Sequence, residues 1–315
     1  MSITPAPSAA ATGGTVACIG VFDGVHLGHR ALMAQARREA DALGLPLVAV
    51  TFDPHPMAVV SEQGAPTSLA SVAHRSALLL QAGADEVDVL PFDAAMAATD
   101  AADFVRFLLV DRLGVRAVVV GEDFRFGHQA RGSVATLADL GERWGFAAIP
   151  VPLAGHGEER WSSTLARRLV VEGDLRSAAA VLGRDYRLDG IVVHGDHRGR
   201  DLGFPTANLA WPGDPTIPAD GVYAGWLIDG QNRIDDKDRM AAAISVGTNP
   251  QFGGSERRVE AYAIGRGDLD LYGHEASIEF VERIRGQLTF PAVDALIEQM
   301  SSDVSAASTI LRDHG

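Results

Sequence analysis

Residues 15–43 read TVACIGVFDGVHLGHRALMAQARREADAL, and this stretch decides the fold of the first half of the chain. The apolar run 15–22 predicts a buried strand, and the helical spacing of apolar residues after it predicts a helix. Gly20, Gly24 and Gly28 punctuate the turn between them. A buried strand, a turn with glycines and a helix together indicate the start of a parallel α/β sheet.

Two histidines lie where this helix begins. His26 and His29 are three residues apart, so they share one face, beside free backbone N–H groups and the positive end of the helix dipole. Gly24 and Gly28 allow a nucleotide to approach the backbone closely. Because imidazoles there can donate hydrogen bonds to phosphate oxygens, the pattern predicts nucleotide chemistry. The alternatives are a pair that only satisfies the turn, or a metal pair, for which the sequence offers no evident third ligand.

The alternation of strand and helix continues to about residue 183. Further buried strands are predicted at 46–52, 86–92, 116–122 and 146–153. Helices are predicted between them, one from about Ala101 to Leu113, and two short helices follow at about 163–171 and 174–182. The pattern predicts a Rossmann-like α/β domain with a parallel sheet that helices cover on both faces.

The pattern changes at about residue 185. Short strand-like runs replace the helical spacing, including YRLDGIVVHG, GVYAGWLI and ASIEFVERI, and they predict an antiparallel β-barrel or sandwich. The charged tract 229–239 is interpreted as a solvated hairpin loop, and a final helix from about Pro291 to Leu311 is expected to pack against the barrel. The predicted organisation is a flexible tail at 1–14, an α/β domain at 15–184 and a barrel domain at 185–315.

Composition and charge narrow the class of protein. The chain has 315 residues, and 27 Lys and Arg against 41 Asp and Glu give a net charge of −14, which opposes nucleic-acid binding. The single cysteine, Cys18, excludes an internal disulfide and is expected to be buried and unreactive. No apolar stretch is long enough for a membrane span, and residues 1–14 lack the features of a secretory signal. The sequence therefore predicts a cytoplasmic protein without a membrane partner.

Several segments carry a more specific resemblance. In the first half they are GVFDGVHLGH (20–29), TFDPHP (51–56), GEDFRFG (121–127) and RWSSTLAR (160–167), and in the second half GFPTANL (203–209), preceded by VVHGD and followed by DGVY. With these segments the chain resembles the bacterial bifunctional riboflavin kinase/FMN adenylyltransferases, or FAD synthetases, over its whole length after the tail. The resemblance implies an adenylyltransferase α/β domain followed by an antiparallel riboflavin kinase barrel with a C-terminal helix.

The resemblance implies a site for ATP and its phosphates in the first half. Its residues are Gly20, Phe22, Asp23, Gly24, His26, Gly28, His29, Asp123, Arg160, Ser163, Thr164 and Arg167, with His26 and His29 in catalytic roles. Physical chemistry agrees, since Ser163 and Thr164 precede a predicted helix and the two arginines supply positive charge. An ordinary helix cap is the alternative for the Ser-Thr pair.

The same resemblance implies flavin contacts in the first half, at Phe52, Pro54, His55, Pro56 and Phe124. The segment TFDPHP follows the second predicted strand, and open α/β sheets bind ligands at the carboxyl ends of their strands. A turn shaped by the two prolines is the alternative for this segment. Packing in the core is the alternative for Phe124 and for Phe126.

The barrel half carries the second predicted site. Residues 194–209 contain glycines suited to close approach of a ligand, and Thr206 and Asn208 offer hard oxygen ligands. The resemblance implies that Gly195, Gly203, Thr206 and Asn208 bind ATP, and that Thr206 and Asn208 also bind Mg²⁺.

Glu260, in RRVEAY, matches the catalytic glutamate of the resembled family. A carboxylate within hydrogen-bond reach can orient the ribityl 5′-hydroxyl of riboflavin and take its proton. The alternative is a strand glutamate that faces water. Gln251 departs from the family, which usually has threonine at that position.

The resemblance implies two reactions in series. The barrel phosphorylates riboflavin to FMN with ATP and Mg²⁺, and the α/β domain joins AMP from ATP to FMN, giving FAD and pyrophosphate. Flavins are thus substrates and products, ATP is the co-substrate, and formation of a homo-oligomer is left open. The alternatives are a protein similar to class I aminoacyl-tRNA synthetases, a flavin-carrying protein with a degenerate site, and an enzyme with one live activity.

Overall fold

The computed structural model describes residues 13–156, 159–195, 202–230, 239–248, 257–266 and 269–314. Its contacts divide the chain into two compact units. The first unit runs to Pro66 and resumes over Arg75–Ser162, and the second comprises Thr67–His74 and the chain from Ser163 onward. Among the described residues, no helix is both long and apolar enough to cross a membrane.

In the described part of the first unit, five parallel strands form a sheet in the order β3-β2-β1-β4-β5. The strands are β1 (Thr15–Ile19), β2 (Leu47–Asp53), β3 (Glu86–Pro91), β4 (Val115–Gly121) and β5 (Ala147–Val151). The predicted parallel sheet is confirmed. The first strand ends earlier than predicted: the N–H of Gly20 still donates to the carbonyl of Val50 at 3.1 Å, but the backbone then enters the left-handed region at Phe22.

Helices connect these strands. They are α1 (Leu27–Leu43), α2 (Met57–Val60), α3 (Val72–Gln81), α4 (Ala94–Ala97), α5 (Ala101–Phe104) and α6 (Val134–Trp144). The helix predicted from about Ala101 to Leu113 is present, although Val105–Arg112 has π-helical hydrogen bonding. A short 3₁₀ turn, His128–Ala130, and a hairpin of β6 (Gly155–His156) and β7 (Glu159–Arg160) complete the described elements of this unit.

The sheet is buried on both faces, as its continuous apolar strands predict. Side chains along β1 alternate, so that Ala17 and Ile19 lie in one apolar cluster while Val16 and Cys18 lie in another. The first cluster includes residues of the π-helical stretch and α6, and the second includes residues of α1. Cys18 is fully buried, and burial raises the pKa of its thiol, which agrees with an unreactive cysteine.

In the described part of the second unit, six antiparallel strands close into a barrel in the order β10-β11-β12-β9-β8-β13. The strands are β8 (Tyr186–Val193), β9 (Ala207–Ala210), β10 (Gly221–Asp229), β11 (Arg239–Thr248), β12 (Arg257–Ala263) and β13 (Glu275–Arg285). Of the two predicted arrangements, the barrel is therefore the one observed. Ile228 pairs with Arg239, so the charged tract between β10 and β11 connects a hairpin, although 231–238 lie outside the described residues.

Three helices are described in the second unit: α7 (Ser163–Glu172), α8 (Leu175–Leu182) and α9 (Val293–His314). Helix α8 contacts β8 and β13, and α9 contacts β10, β11 and β13. The contact boundary after Ser162 therefore precedes residue 184, where the sequence places the end of the first domain. The boundary at residue 184 divides the chain by function, whereas the boundary after Ser162 divides it by contacts, so the functional boundary stays a prediction.

Candidate functional site

Topology brings the ends of three strands of the first unit together. β1 lies between β2 and β4, and all three run parallel, so the segments that follow them leave the same edge of the sheet. Strand order reverses direction between β1 and β4, and ligands bind outside the carboxyl ends of strands at such a switch point. The motifs 20–29, 51–56 and 121–127 follow these three strands.

The chain leaves β1 through a strained turn. Phe22 and Val25 have φ values of 53° and 39°, a region that non-glycine residues, and β-branched ones above all, seldom adopt. The carbonyl of Val21 accepts hydrogen bonds from Thr51 Oγ1 at 2.9 Å and from Arg75 Nη1 at 3.1 Å, and Val25 N–H donates to the carbonyl of Phe22 at 3.1 Å. Strained backbone persists only where surrounding contacts hold it, and such positions cluster at functional sites.

His26 and His29 lie against one another at the start of α1. Their rings stack with centroids 3.7 Å apart, and the backbone N–H of His29 donates to Nδ1 of His26 at 3.4 Å. A neutral His26 therefore carries its proton on Nε2. A Cβ atom at Gly28 would lie 2.9 Å from Cε1 of His26, so the stacked arrangement requires glycine there. Gly28 thus has a packing reason in addition to the close nucleotide approach that the sequence predicts.

His29 is a neutral imidazole. Burial lowers its pKa well below the usual range, and the nearby charges of His26 and Arg75 lower it further. Its Nδ1 is buried and has no hydrogen-bond partner among the described residues, and the edge of its ring meets Phe22 with centroids 5.2 Å apart. The ring can donate one N–H to an anion without itself being charged. As for a metal, the described residues contain no group of three or more His, Cys, Asp or Glu side chains suited to one.

The flavin segment after β2 divides into buried and exposed parts. Phe52 belongs to the apolar core and meets the ring of Phe92 at 5.7 Å. Pro54 is exposed, while His55 and Pro56 are half-buried, and Nδ1 of His55 accepts from the backbone N–H of Met57 at 3.1 Å. Of the implied flavin residues in this segment, Phe52 therefore has its side chain in the core.

The segment after β4 divides in the same way. Asp123 is exposed, whereas Phe126 is buried and stacks on Phe124 with ring centroids 5.5 Å apart. Phe124 is half-buried and packs against the same apolar cluster as Phe52. The packing alternative therefore accounts for Phe126, and Phe124 keeps part of its ring accessible.

The residues of the predicted phosphate clamp do not all belong to one compact unit. Arg160 lies on β7 of the first unit and is exposed. Ser163 and Thr164 begin α7 of the second unit, and Nε of Arg167 donates to the carbonyl of Thr67 at 2.7 Å in that unit. Assembly of these four residues around one ligand stays a prediction.

Sequence reasoning missed Arg75. It lies on α3 with 5% of its surface exposed, and it donates to the carbonyls of Val21 at 3.1 Å and Phe52 at 2.8 Å. Burial lowers the pKa of its guanidinium, and the charges of Asp23 and Asp53 oppose that shift. The only signal in the sequence was a cationic residue within the apolar helix VAHRSALLLQ, and that signal does not name a partner.

The second site is assembled by strand pairing. Asn208 on β9 lies opposite Glu260 on β12, and Thr206, directly before β9, donates from Oγ1 to Oε2 of Glu260 at 3.4 Å. The three residues that the sequence selects are therefore brought together. Gly195 is close as well, because a Cβ atom there would lie 2.3 Å from Nδ2 of Asn208. Gly203 adopts a φ of 88°, while 196–201 and 249–256, which include Gln251, lie outside the described residues.

A cavity of about 500 Å³ opens beside these residues in the second unit. Its lining includes Phe204, Thr206, Glu260, Tyr262, Phe290 and Met300, so it combines aromatic and apolar walls with a few polar groups. Such a volume and lining suit an organic ligand larger than a single ring.

One ion pair joins the C-terminal helix to this cavity wall. Arg285 of β13 donates to Asp303 of α9 through Nε at 2.9 Å and Nη2 at 2.6 Å, and Gln299 also donates to Asp303 at 2.9 Å. Arg285 and Asp303 both line the cavity. A two-pronged pair of this kind is a strong and directional contact, so it holds α9 at the cavity.

A nucleotide-type α/β sheet and a barrel with hydroxyl, amide and carboxylate groups at a cavity define a two-module transferase. The comparisons with known proteins identify the family of transferases to which the chain belongs. The FAD synthetase family model matches residues 8–165, and the riboflavin kinase family model matches residues 182–311. The chain therefore belongs to the family of bifunctional riboflavin kinase/FMN adenylyltransferases.

Individual relatives cover nearly the whole chain. The bifunctional riboflavin kinase/FMN adenylyltransferase of Escherichia coli K12 is 33% identical over 92% of this chain and 90% of its own length. That of Pseudomonas fluorescens is 35% identical over 94% of this chain and 93% of its own length. A crystal structure described as a macrolide-efflux protein from Streptococcus pneumoniae is 29% identical and superposes with a TM-score of 0.82 over 94% of both chains.

Proposed function

We propose that this chain makes FAD from riboflavin in two ATP-dependent steps, with the residues of each step in separate modules. The barrel forms FMN, and the α/β module converts FMN to FAD. The observation that carries the proposal is the cluster of Thr206, Asn208 and Glu260, of which Thr206 and Glu260 line a cavity of flavin-compatible size, in the same chain as the His26–His29 pair.

In the barrel, Glu260 is assigned to the 5′-hydroxyl of riboflavin. Its carboxylate accepts the hydroxyl hydrogen, orients the oxygen toward the γ-phosphorus of ATP and takes the proton as the new P–O bond forms and the β–γ bridge breaks. The hydrogen bond from Thr206 holds one carboxylate oxygen in place. The ring system of the flavin is assigned to the cavity walls around Phe204 and Tyr262, whose rings meet edge to face.

The donor set at this site suits Mg²⁺. Thr206 and Asn208 supply hard neutral oxygens, and Mg²⁺ usually takes a few protein ligands and completes its shell with phosphates and water. When bound, the ion offsets the charge that develops on the transferring phosphates. The close packing of Gly195 on Asn208 fixes the amide that is assigned to this role.

In the α/β module, an FMN phosphate oxygen attacks the α-phosphorus of ATP, and the α–β bridge breaks to release pyrophosphate. His26 and His29 are assigned to the phosphates, to which their N–H groups donate hydrogen bonds that strengthen as charge moves toward the leaving group. The positive end of the α1 dipole, at this first turn, adds to this field. We assign Arg160, Ser163, Thr164 and Arg167 to the same phosphates and Asp123 to the nucleotide.

The flavin of this second step is assigned to the segments after β2 and β4. His55, Pro56 and Pro54 offer accessible side chains there, and Phe124 offers part of its ring. The side chain of Phe52 is in the core, so we assign Phe52 to this site only as part of the segment that carries the other flavin contacts. We assign residues 15–184 to this step and 185–315 to the kinase step, in the cytoplasm, where ATP is abundant.

A time course tests the proposal. Purified protein is incubated with riboflavin, ATP and Mg²⁺, and the flavins are separated by chromatography. We expect FMN to appear first and FAD to follow at its expense, and supplied FMN to give FAD without a lag. Removal of Mg²⁺ with EDTA is expected to stop phosphorylation of riboflavin. Absence of any flavin nucleotide would refute the proposal, and formation of FMN alone would leave only one live module.

A further inference from the structure

Arg75 joins the exits of two neighbouring strands with one side chain. Its Nη1 donates to the carbonyl of Val21, after β1, and its Nη2 donates to the carbonyl of Phe52, near the end of β2. The two carbonyls belong to different motifs, one leading to the histidines and the other to the flavin segment. The planar guanidinium has donors at fixed angles, so it sets the spacing of these two exits.

The Val21 carbonyl is a sensitive place for such a contact. It directly precedes Phe22, where the backbone enters the left-handed region, and the turn that follows ends at His26. Thr51 Oγ1 donates to the same carbonyl at 2.9 Å, so two side chains from β2 and α3 hold one strained peptide unit. A rotation of this peptide unit displaces the start of α1, on which both histidines depend.

A buried cation is a costly way to tie two carbonyls. Burial lowers the pKa of Arg75, and the negative charges of Asp23 and Asp53 offset part of that penalty. An apolar side chain would fill the same space without this penalty, but it would leave both carbonyls without the guanidinium. The charge also reaches the histidine pair, since Arg75 is one of the causes that lower the pKa of His29.

We propose that Arg75 is a positioning residue for adenylyl transfer, which sets the ATP-side turn and the flavin-side segment at the separation that in-line attack requires. The inference rests on the proposed role of His26 and His29 at the phosphates. Arg75 acts through Val21 and Phe52. Its loss therefore affects the rate of the chemical step more than the binding of either substrate.

The test is a graded series, Arg75→Met, Arg75→Lys and Thr51→Val, in the full chain. For each variant, kcat and KM for ATP and FMN are measured with FMN supplied, and phosphorylation of riboflavin is measured on the same preparation. Because a misplacement near 1 Å can cost about 100-fold in rate, we expect kcat of Arg75→Met to fall about 100-fold with KM changed less than about threefold. Arg75→Lys keeps the charge and one donor direction, and Thr51→Val removes one hydrogen bond, so both are expected to lie between it and the wild type.

Two controls give the result its meaning. Arg112→Met removes another partly buried arginine of the first unit, which donates to Asp88 at 2.8 Å, and it is expected to lower the melting temperature without lowering kcat. His29→Ala tests the role on which the inference rests. Full adenylylation by His29→Ala would overturn that role, whatever Arg75→Met does.

The inference itself is overturned if folded Arg75→Met keeps kcat within twofold of the wild type, or if Arg112→Met loses as much kcat. It is also overturned if KM rises and kcat does not, because that split marks a residue that only binds substrate. If Arg75→Met does not fold, Arg75→Lys and Thr51→Val decide, and unchanged kcat in both contradicts the inference.

Discussion

In the barrel, the pairing of β9 with β12 makes neighbours of Thr206, Asn208 and Glu260. In the α/β module, by contrast, His26 and His29 lie at the end of a turn and the start of a helix, and side chains far away in the sequence hold that turn in place. A strand ladder sets its register along several residues at once, and one face is committed to the interior. A turn has no such ladder. The first arrangement therefore depends on backbone pairing, and the second depends on individual contacts such as those to the Val21 carbonyl.

The largest expected effect concerns the chemistry of Thr206, Asn208 and Glu260, which we call the strand-built site. Glu260→Gln keeps the shape of the side chain and removes the proposed proton acceptor, so riboflavin phosphorylation is expected to fall about 10² to 10⁴-fold. Adenylylation of supplied FMN is expected to continue. The measurement is the initial rate of each step, with Glu275→Gln, at an exposed position on β13, as the matched control. Equal loss of both activities in a folded Glu260→Gln protein would contradict the separation of the two sites.

We call the pair His26 and His29, with the turn before them, the turn-built site. The corresponding change there is His29→Ala. In the proposed role of His29 it removes one neutral N–H donor to the phosphates, and loss of a single transition-state donor typically lowers kcat about 10² to 10³-fold. FMN is therefore expected to accumulate while FAD formation nearly stops. His128→Ala, at an exposed histidine of the same unit, controls for loss of an imidazole. A normal yield of FAD from His29→Ala would place the phosphate contacts elsewhere.

A smaller effect tests how tightly the strand-built site is packed. Gly195→Ala introduces a methyl group 2.3 Å from Nδ2 of Asn208, so the amide or the loop must move. We expect riboflavin phosphorylation to fall about 10 to 100-fold, since small displacements of reacting groups have effects of this size. Gly286→Ala, where the nearest neighbouring atom is a side-chain nitrogen at 3.7 Å, is the control. If Gly195→Ala phosphorylates riboflavin normally, the strand pairing alone suffices to place Asn208.

The smallest expected effect concerns His74, which is buried in the second unit 3.8 Å from Asp189. Burial, with the charges of Arg184 and Arg187, lowers its pKa to about 3, against the opposing effect of Asp189. In the unfolded chain His74 takes up a proton below about pH 6.5, whereas in the folded chain it stays neutral, so acid favours unfolding. The free energy of unfolding is therefore expected to fall as the pH drops from about 6.5 toward 3.

His74→Gln removes this acid sensitivity. At pH 5.5, one unit below the ordinary pKa, the sensitivity amounts to about 1.4 kcal/mol in the wild type. Urea unfolding of both proteins at pH 7.5 and 5.5 measures it, and the value at pH 7.5 serves as the reference for the loss of packing. A constant difference between the two proteins at both pH values would contradict the prediction, because it would mean that His74 takes up a proton as readily in the folded chain as in the unfolded one.

The fold was largely open to prediction because its signals are local. Continuous apolar strands separated by helices indicate a covered parallel sheet, and the change of period near residue 185 indicates the barrel. What the pattern missed is the segment Thr67–His74. Ser68 of this segment exchanges backbone hydrogen bonds with Asp214 and Thr216. Ser71 donates to Asp189 at 2.6 Å. The segment therefore belongs to the second unit. Nothing in its spacing or composition points to partners so far along the chain.

By itself, the sequence determined the two modules and predicted the residue types of both sites, because motif spacing and hydrophobic period express contacts between near neighbours in the chain. Only the tertiary structure decided that Arg75 ties Val21 to Phe52 and that Arg285 holds Asp303 at the cavity. The physical reason is that such contacts depend on how helices dock onto a sheet or a barrel. Docking is fixed by the whole packed core. A single buried arginine creates no periodic pattern in the sequence, so its partner cannot be predicted from the sequence.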